Sequence, residues 1–378
     1  MKDYRADFAD FEGVTFLNVA SQGPLPDVSV KAARTALEWK RLPYQIPDGL
    51  LFGLPDRVRA LTARLIGGSA GEISITTGAS GGLAAVAQGI DFQPGDEVLV
   101  ARGEFPAHFS TWLPLEKSAG IQVKRVNAKE RFLAAEDFLA QLGPRTRVVS
   151  TSLVRFDNAV RLDARRLADA CHAAGAYLLL DASQGAGAMK INVAELGADF
   201  LVCAGYKWLL SPYGTGFFWI RRDLIEKMRP APSNWTALEG ADNFSSLVFD
   251  ELKFSTGARR WDSPETASFS NLAAMEASLD YLLRVGVETV WNHNREWIDR
   301  MIERLPRDRC VLASPEDEAR RGPFICVSTR REGEAAAIHK KLAEAQVFVS
   351  LREGALRISP HLFNTERDML RLISILSV

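Results

Sequence analysis

The sequence predicts an α/β fold: a large domain built on a mostly parallel sheet, with a smaller α+β domain beside it. Three observations lead there. Two short apolar runs, Tyr177 to Leu180 and Phe200 to Cys203, are continuous, as strands buried on both faces of a parallel sheet are; the first stops abruptly at Asp181, and the second ends in Ala204-Gly205-Tyr206 and then Lys207. Each is followed by a turn-rich stretch and a further apolar run, so neighbouring strands present their last residues at one sheet edge, where open α/β sheets bind ligands. At 378 residues the chain is longer than one hydrophobic core usually grows, which implies a second, smaller unit.

Taken in order, Thr15 to Asn18 reads as a short strand, and the Gly and prolines of Val19 to Pro26 mark a fixed turn before a helix from about Asp27 to Lys40. A helix over 55–66 precedes the strand Ile73 to Thr76. The small residues Thr77 to Gly82 then open an apolar helix running to Gly89. Strand, small-residue turn and helix start together make an anion site, because free amides and the positive end of the helix dipole converge. Gly78, Ala79 and Ser80 are its candidates, although Ser80 can equally be a plain N-cap. Glu97 to Ala101 and Arg147 to Val154 read as further strands. Asp163 and Gly175 suit the two ends of the helix between them. Residues 229–263 lack periodicity and read as loops. From Asn271 to Gly286 and from Val287 to about Leu305 the pattern is helical. Strands at Phe324 to Thr329, Val347 to Leu351 and Leu356 to Ser359, with helices over Glu332 to Ala345 and from about Glu366, complete the smaller unit. The expected boundaries are 15–270 for the large domain and 1–14 with 271–378 for the small one.

Composition excludes several classes. Basic and acidic residues number 46 and 47 and are evenly mixed, so nothing points to nucleic acid or an anionic membrane. The first residues form no charged leader with an apolar segment, and no run of about 18 apolar residues occurs. A cytoplasmic location is expected. Cys171, Cys203, Cys310 and Cys326 are scattered without a close pair of the zinc-binding kind, so no metal site is expected. They read as buried small hydrophobes.

The chemistry concentrates in residues 176–221. Asp181 ends one apolar run, Gln184 follows it, and Lys207 follows the next run after Ala204-Gly205-Tyr206. Either charged residue alone reads as a turn cap or a solvated side chain. In this order, on adjacent strands, they suit a lysine that forms a Schiff base with an aldehyde cofactor and a carboxylate that keeps a pyridine nitrogen protonated. That cofactor is pyridoxal 5'-phosphate. DASQ followed by AGYKW and a Gly-rich turn resembles the class V aminotransferases, a family of fold type I that includes cysteine desulfurases, kynureninases, isopenicillin N epimerase-like proteins and hercynylcysteine sulfoxide lyases.

The resemblance implies roles along nearly the whole chain. Lys207 carries the cofactor and later a proton at the substrate Cα; Asp181 pairs with the pyridinium; Gln184 bonds the phenolic oxygen. Phe105 stacks on the ring where desulfurases usually have histidine. Arg155 stands near the phenolic oxygen, an unusual place for a positive charge. Ala79, Ser80 and Tyr206 hold phosphate, and Thr266 reaches the phosphate of a neighbouring subunit, which implies a homodimer with sites at its interface. Asn18, Ala20 and Ser21 approach the substrate. Arg357, in LRISPHLFNT, clamps its carboxylate with a bidentate fork. His108 reads as a solvated loop histidine. The expected reaction is a lyase reaction on a small amino acid, of the kynureninase or C–S lyase sort. Transamination or epimerisation is the alternative, and a catalytically idle cofactor-binding protein a third reading. No cysteine lies just before Arg357, and the nearest, Cys326, sits in an apolar run, so a persulfide-forming desulfurase is not expected.

Overall fold

The structure, a computed structural model, describes residues 3–230, 234–248, 251, 253–266 and 268–378. A two-residue strand, β1 (Thr15–Phe16), leads through the proline-bounded turn into α1 (Asp27–Arg41) and α2 (Leu50–Ile66). The sequence suggests that the second helix starts at Pro55, since proline suits a first turn; it starts at Leu50. Gly49, with φ 72°, makes the left-handed step into it, and burial of Leu50, Leu54 and Val58 outweighs the one hydrogen bond that Pro55 cannot donate.

The chain then alternates through β2 (Ile73–Thr76), α3 (Ala79–Gly89), β3 (Glu97–Ala101), α4 (Pro106–Ser118), β4 (Gln122–Val126), α5 (Ala135–Leu139), β5 (Thr146–Ser152), α6 (Ala164–Ala173), β6 (Tyr177–Asp181), α7 (Val193–Leu196), β7 (Phe200–Ala204) and β8 (Gly216–Ile220). These strands form one sheet in the order β2-β8-β7-β6-β5-β3-β4. Only β8 runs against its neighbours, so the sheet is mostly parallel, as its unbroken apolar runs imply. Alternate residues of each strand feed two cores: Val148, Leu179, Phe200 and Val202 face α3 and α4, while Val149, Leu178, Leu180 and Leu201 face α6 and the long helices. Asp163 caps α6 by accepting from the Arg166 amide at 3.1 Å, and Gly175 takes the left-handed step after it, φ 74°.

After β8 the described part of the 229–263 segment holds 3-10 turns at Trp235–Ala237 and Ala258–Trp261 and an isolated antiparallel bridge between Leu238 and Phe254; residues 231–233, 249, 250 and 252 lie outside the described residues. Asp262 ties this segment down. Its carboxylate receives the Ile75 amide at 2.8 Å and pairs, buried, with Arg59 of α2.

Then come α8 (Phe269–Val285), α9 (Val287–Glu303), β9 (Cys310–Leu312), β10 (Ile325–Thr329), α10 (Glu334–Glu344), β11 (Val347–Phe348), β12 (Ser350–Arg352), β13 (Ala355–Ile358) and α11 (Glu366–Leu376). Four of these strands form an antiparallel sheet, β12-β13-β10-β9, with its own core of Ile325, Val327, Leu356, Ile358 and residues of α9, α10 and α11. Val347 to Leu351, expected as one strand, is two. β11 pairs in parallel with β1, Val349 turns the chain, and β12 pairs with β13. The expected domain limits shift for the same physical reason, the location of partners. Thr15 and Phe16 pair with β11, and Leu17 packs in the C-terminal core. By contrast α8 packs on α1 and α2 in the main core, with Ser278 and Ser29 hydroxyls 2.7 Å apart. No helix among the described residues is long and apolar enough to cross a membrane.

The approach of α3 to the sheet depends on Gly82, because a Cβ there meets Val202 Cγ1 at 2.5 Å and Phe218 Cβ at 3.0 Å. Gly82→Ala is therefore expected to overpack this contact and lower stability by about 1–3 kcal/mol, read as a lower urea midpoint with unchanged slope.

Candidate active site

Asp181 ends β6 at the carboxyl edge of the sheet and is 6% exposed. Its Oδ1 accepts the Ser183 amide at 2.7 Å, and the Ser183 hydroxyl accepts the Ala204 amide at 2.9 Å, fastening the β6 turn to the end of β7. Beyond β7 the chain folds back through Gly205, where a Cβ falls 2.2 Å from Thr215 Oγ1, so no larger residue fits. The next residues are Tyr206 and Lys207. Gly23 seats the N-terminal turn directly on this loop: its amide donates to the Tyr206 carbonyl at 2.8 Å, and a Cβ there comes 2.1 Å from the Lys207 carbonyl oxygen.

Lys207 is 8% exposed, and its Nζ lies 5.4 Å from the Phe105 ring centre and 5.7 Å from that of Tyr206. Burial lowers its pKa; Asp181 pulls the other way, while Arg357 and Arg352 push with burial. Phe105 stands at the start of α4, 38% exposed, its ring edge-on to Phe156 at 5.4 Å. Tyr206 in turn lies against the exposed Tyr213, ring centres 4.6 Å apart and planes tilted by 37°.

His108, expected in solvent, is fully buried. It lies one helical turn along α4 from Phe105, so the strand that delivers Phe105 also turns His108 inward. Its Nδ1 is 2.8 Å from Ser150 Oγ and its Nε2 is 3.8 Å from Asp181 Oδ2, with no hydrogen-bond partner at that nitrogen. Burial works against the charge on both groups, yet each favours it in the other: His108 is raised above the usual histidine range, and Asp181 is lowered with help from Lys207 and Ser183. Glu104 is a second buried carboxylate nearby, held by the Ser152 amide and hydroxyl, the Thr151 hydroxyl and the Phe105 amide. Sequence reasoning missed both groups because their partners stand on other strands. Arg155 is the positive member of this cluster. Its guanidinium binds Asp157 at 2.8 Å and the Gly103 carbonyl at 2.8 Å and lies 3.8 Å from Glu104. The charge that looked out of place beside a cofactor is thus neutralised by two carboxylates.

At the neighbouring strand end, Gly78 caps α3, and its carbonyl accepts the Thr76 hydroxyl at 2.9 Å. The amides of Ala79 and Ser80, in the first turn, have no partner within the helix. Gly216 keeps this floor flat, since a Cβ there meets Gly78 Cα at 2.7 Å. Thr266 gives its hydroxyl to the Ser263 carbonyl of its own chain.

The substrate-side candidates gather opposite. Arg357 on β13 is 2% exposed; its guanidinium donates to Ser21 Oγ at 2.9 Å and to the Phe156 carbonyl at 3.1 Å, while its Nε has no partner. Burial, then the nearby Arg352, brings its pKa down to about 10. Arg352, which sequence reasoning passed over, also donates to Ser21 Oγ, at 3.1 Å. Asn18 accepts from the Ser350 hydroxyl, and the Ala20 amide donates to Ser359 Oγ at 3.0 Å, so both shape the turn that presents Ser21. Gln184 donates to the Ala20 carbonyl at 3.0 Å and accepts from Trp208 at 2.9 Å, which leaves one amide hydrogen free to face the site. The structure thus brings Lys207, Asp181, Phe105, Tyr206, Ser21 and Arg357 to one cleft. All four cysteines are buried; burial pushes Cys326 up to about 12 and Cys203 well above the usual thiol range.

The family model Aminotransferase class-V matches residues 54–372. The isopenicillin N epimerase of Streptomyces clavuligerus is 25% identical over 375 residues, 95% of this chain and 93% of that protein. A probable cysteine desulfurase of Methanothermobacter thermautotrophicus is 28% identical over 339 residues, 82% of this chain and 80% of that protein. Among solved structures, the complex of the cystine C–S lyase C-DES with its product cysteine persulfide matches with a TM-score of 0.85 at 21% identity, covering 96% of this chain and 97% of that one, a likeness of fold.

Competitive labelling with an amine-specific reagent across a pH series should give Lys207 a pKa below that of the exposed lysines. Removing the opposite charge, in Asp181→Asn, should lower it further, and removing a like charge, in Arg357→Gln, should raise it; the reverse order disproves the electrostatic assignment.

Proposed function

The chain belongs to the class-V aminotransferase family and is a pyridoxal 5'-phosphate-dependent enzyme, and from that premise we propose that it is a lyase acting on a small amino acid. The observation that carries this reading is the placement of a buried, desolvated lysine amine near an aromatic ring, a buried carboxylate and an arginine that has no ion pair among the described residues.

The residues present fit the cofactor. The α3 start, floored by glycines that no Cβ could replace, suits a phosphate. Phe105, exposed beside Lys207 Nζ, suits a flat heterocycle. When bound, pyridoxal 5'-phosphate supplies a conjugated ring that takes up the electron pair released at the substrate Cα. Lys207 would hold the cofactor by its aldehyde and move the proton at Cα, work that needs the amine neutral and so benefits from its lowered pKa. Asp181, kept ionised by His108, would keep the ring nitrogen protonated. Gln184 would serve the phenolic oxygen, and Ala79, Ser80 and Tyr206 would hold the phosphate. Phe105 excludes water from its face of the ring and carries no proton. Arg357 orients the substrate by its carboxylate, with Ser21 between them.

The leaving group departs from the substrate's side chain without passing to an enzyme thiol, because each cysteine is buried and Cys326 and Cys203 are held protonated. A cystine C–S lyase shares the fold, which is compatible with such a route. We also propose a homodimer. Tyr213, Trp235 and Phe244 are exposed, apolar surface that a second subunit carrying Thr266 would cover.

An amino-acid panel assayed with and without a 2-oxo acid acceptor tests the reaction: product formation without acceptor is expected, and strict dependence on acceptor overturns the lyase reading. Asp181→Asn should retain cofactor yet lose roughly 10²-fold or more in turnover, and near-normal turnover removes its role. Cysteine should leave no persulfide on the enzyme; a persulfide that vanishes in Cys326→Ser or Cys203→Ser contradicts the burial argument.

A further inference from the structure

The chain neutralises its buried arginines with one exception. Arg59, Arg155, Arg260 and Arg321 each meet a carboxylate within ion-pair distance, whereas Arg357, the most deeply buried of the five, meets none among the described residues. Asp157, whose charge reaches Arg357, is engaged by Arg155. A second unpaired guanidinium stands beside it. Arg352, half-buried on β12, donates to the same Ser21 oxygen and to the Leu351 carbonyl, and it too has no ion pair among the described residues. The β12–β13 hairpin enforces this juxtaposition: Ser350 pairs with Arg357 and Arg352 with Ala355, and the turn between them, Glu353 and Gly354, takes φ of 46° and 76°. Two like charges held by one hydroxyl repel, and no carboxylate among the described residues lies within ion-pair distance of either. Since both donate to one oxygen, the two nitrogens are no more than about 6 Å apart.

We propose that Arg352 and Arg357 form a double anion site, and that the substrate is a short acidic α-amino acid whose side chain ends in a carboxylate or a sulfur oxyanion. This rests on the reading of the cleft as an amino-acid site. Arg357, the deeper, takes the α-carboxylate. Arg352, nearer solvent, takes the side-chain anion, and the close spacing of the two favours an acid on Cβ or Cγ. A neutral amino acid leaves one guanidinium uncompensated beside Lys207, so selectivity arises from charge balance as well as from shape. The lowered pKa of Arg357 accords with a site waiting for anions.

Two measurements test the inference. In the first, the cofactor's visible spectrum is titrated with aspartate, glutamate, cysteine sulfinate, alanine and serine. Acidic amino acids should half-saturate at concentrations roughly ten- to a hundredfold below alanine and serine, with the carboxylate and sulfinate arms separating the two side-chain chemistries. Arg352→Gln should abolish most of this preference, and Arg352→Lys should restore part of it. An equal loss for acidic and neutral amino acids means that both arginines share the α-carboxylate, and overturns the inference. In the second, cofactor-free protein is melted with malonate, succinate, acetate or propionate. Dicarboxylates should raise the Tm more than monocarboxylates, and this difference should vanish in Arg352→Gln. If no amino acid alters the spectrum, the amino-acid reading fails by itself, and the melting series alone decides whether the double anion site exists.

Discussion

Because β5, β6 and β7 run parallel with Ser152, Asp181 and Val202 level across them, their ends stop along one line, and the polar residues after each strand arrive in one place. Everything in the cleft inherits that register. A slip of one residue in β6 turns the Asp181 side chain from one face of the sheet to the other and separates it from His108 and Lys207. The opposite end of the sheet helps to prevent this. Buried Asp199 accepts the Leu178 amide at 2.7 Å and pairs with Arg221 at 2.5 Å, holding β6, β7 and the end of β8 at a common level.

Electrostatics organises the cleft in two layers. Around Asp181, charges are matched: Arg155 with Asp157 and Glu104, His108 with Asp181. These partners are preorganised, so ionisation of Asp181 needs no rearrangement. On the substrate side the balance is left open: Arg352 and Arg357 add positive charge beside Lys207, and neither has an ion pair among the described residues. The interior tolerates this only because two guanidiniums find a hydroxyl and main-chain carbonyls to donate to.

The sequence made the large sheet and its two principal residues legible because β6 and β7 are unbroken apolar runs, each followed by a polar group, a local pattern. What stayed hidden depends on partners far along the chain. His108 looks solvated in its own neighbourhood; it is buried because Ser150 and Asp181 come to it from β5 and β6. Arg352 follows a strand-like run and precedes a glycine turn, features shared by many surface arginines, and only its meeting with Ser21 gives it a role. The start of α2 was obscured by Pro55, whose usual place in a first turn is a local preference overridden by the burial of Leu50 and Leu54. The packing of α8 on α1 and α2 was hidden likewise, since helical periodicity shows a buried face without showing what covers it.

The N-terminal turn is stitched to the C-terminal sheet rather than to the sheet that follows it in sequence. Leu17 donates to Phe348 at 2.9 Å, Ser359 donates to Leu17 at 2.8 Å, and Ala20 donates to the Ser359 hydroxyl. Ser21 therefore belongs mechanically with Arg352 and Arg357, while Lys207, Asp181 and Phe105 belong with the large sheet. The seam between the two bodies is closed by Gly23 to Tyr206, Gln184 to Ala20 and Arg357 to the Phe156 carbonyl, and by the Trp208 ring against Phe324. The gap between the anion clamp and the lysine is therefore fixed by contacts across the seam, not by either sheet alone.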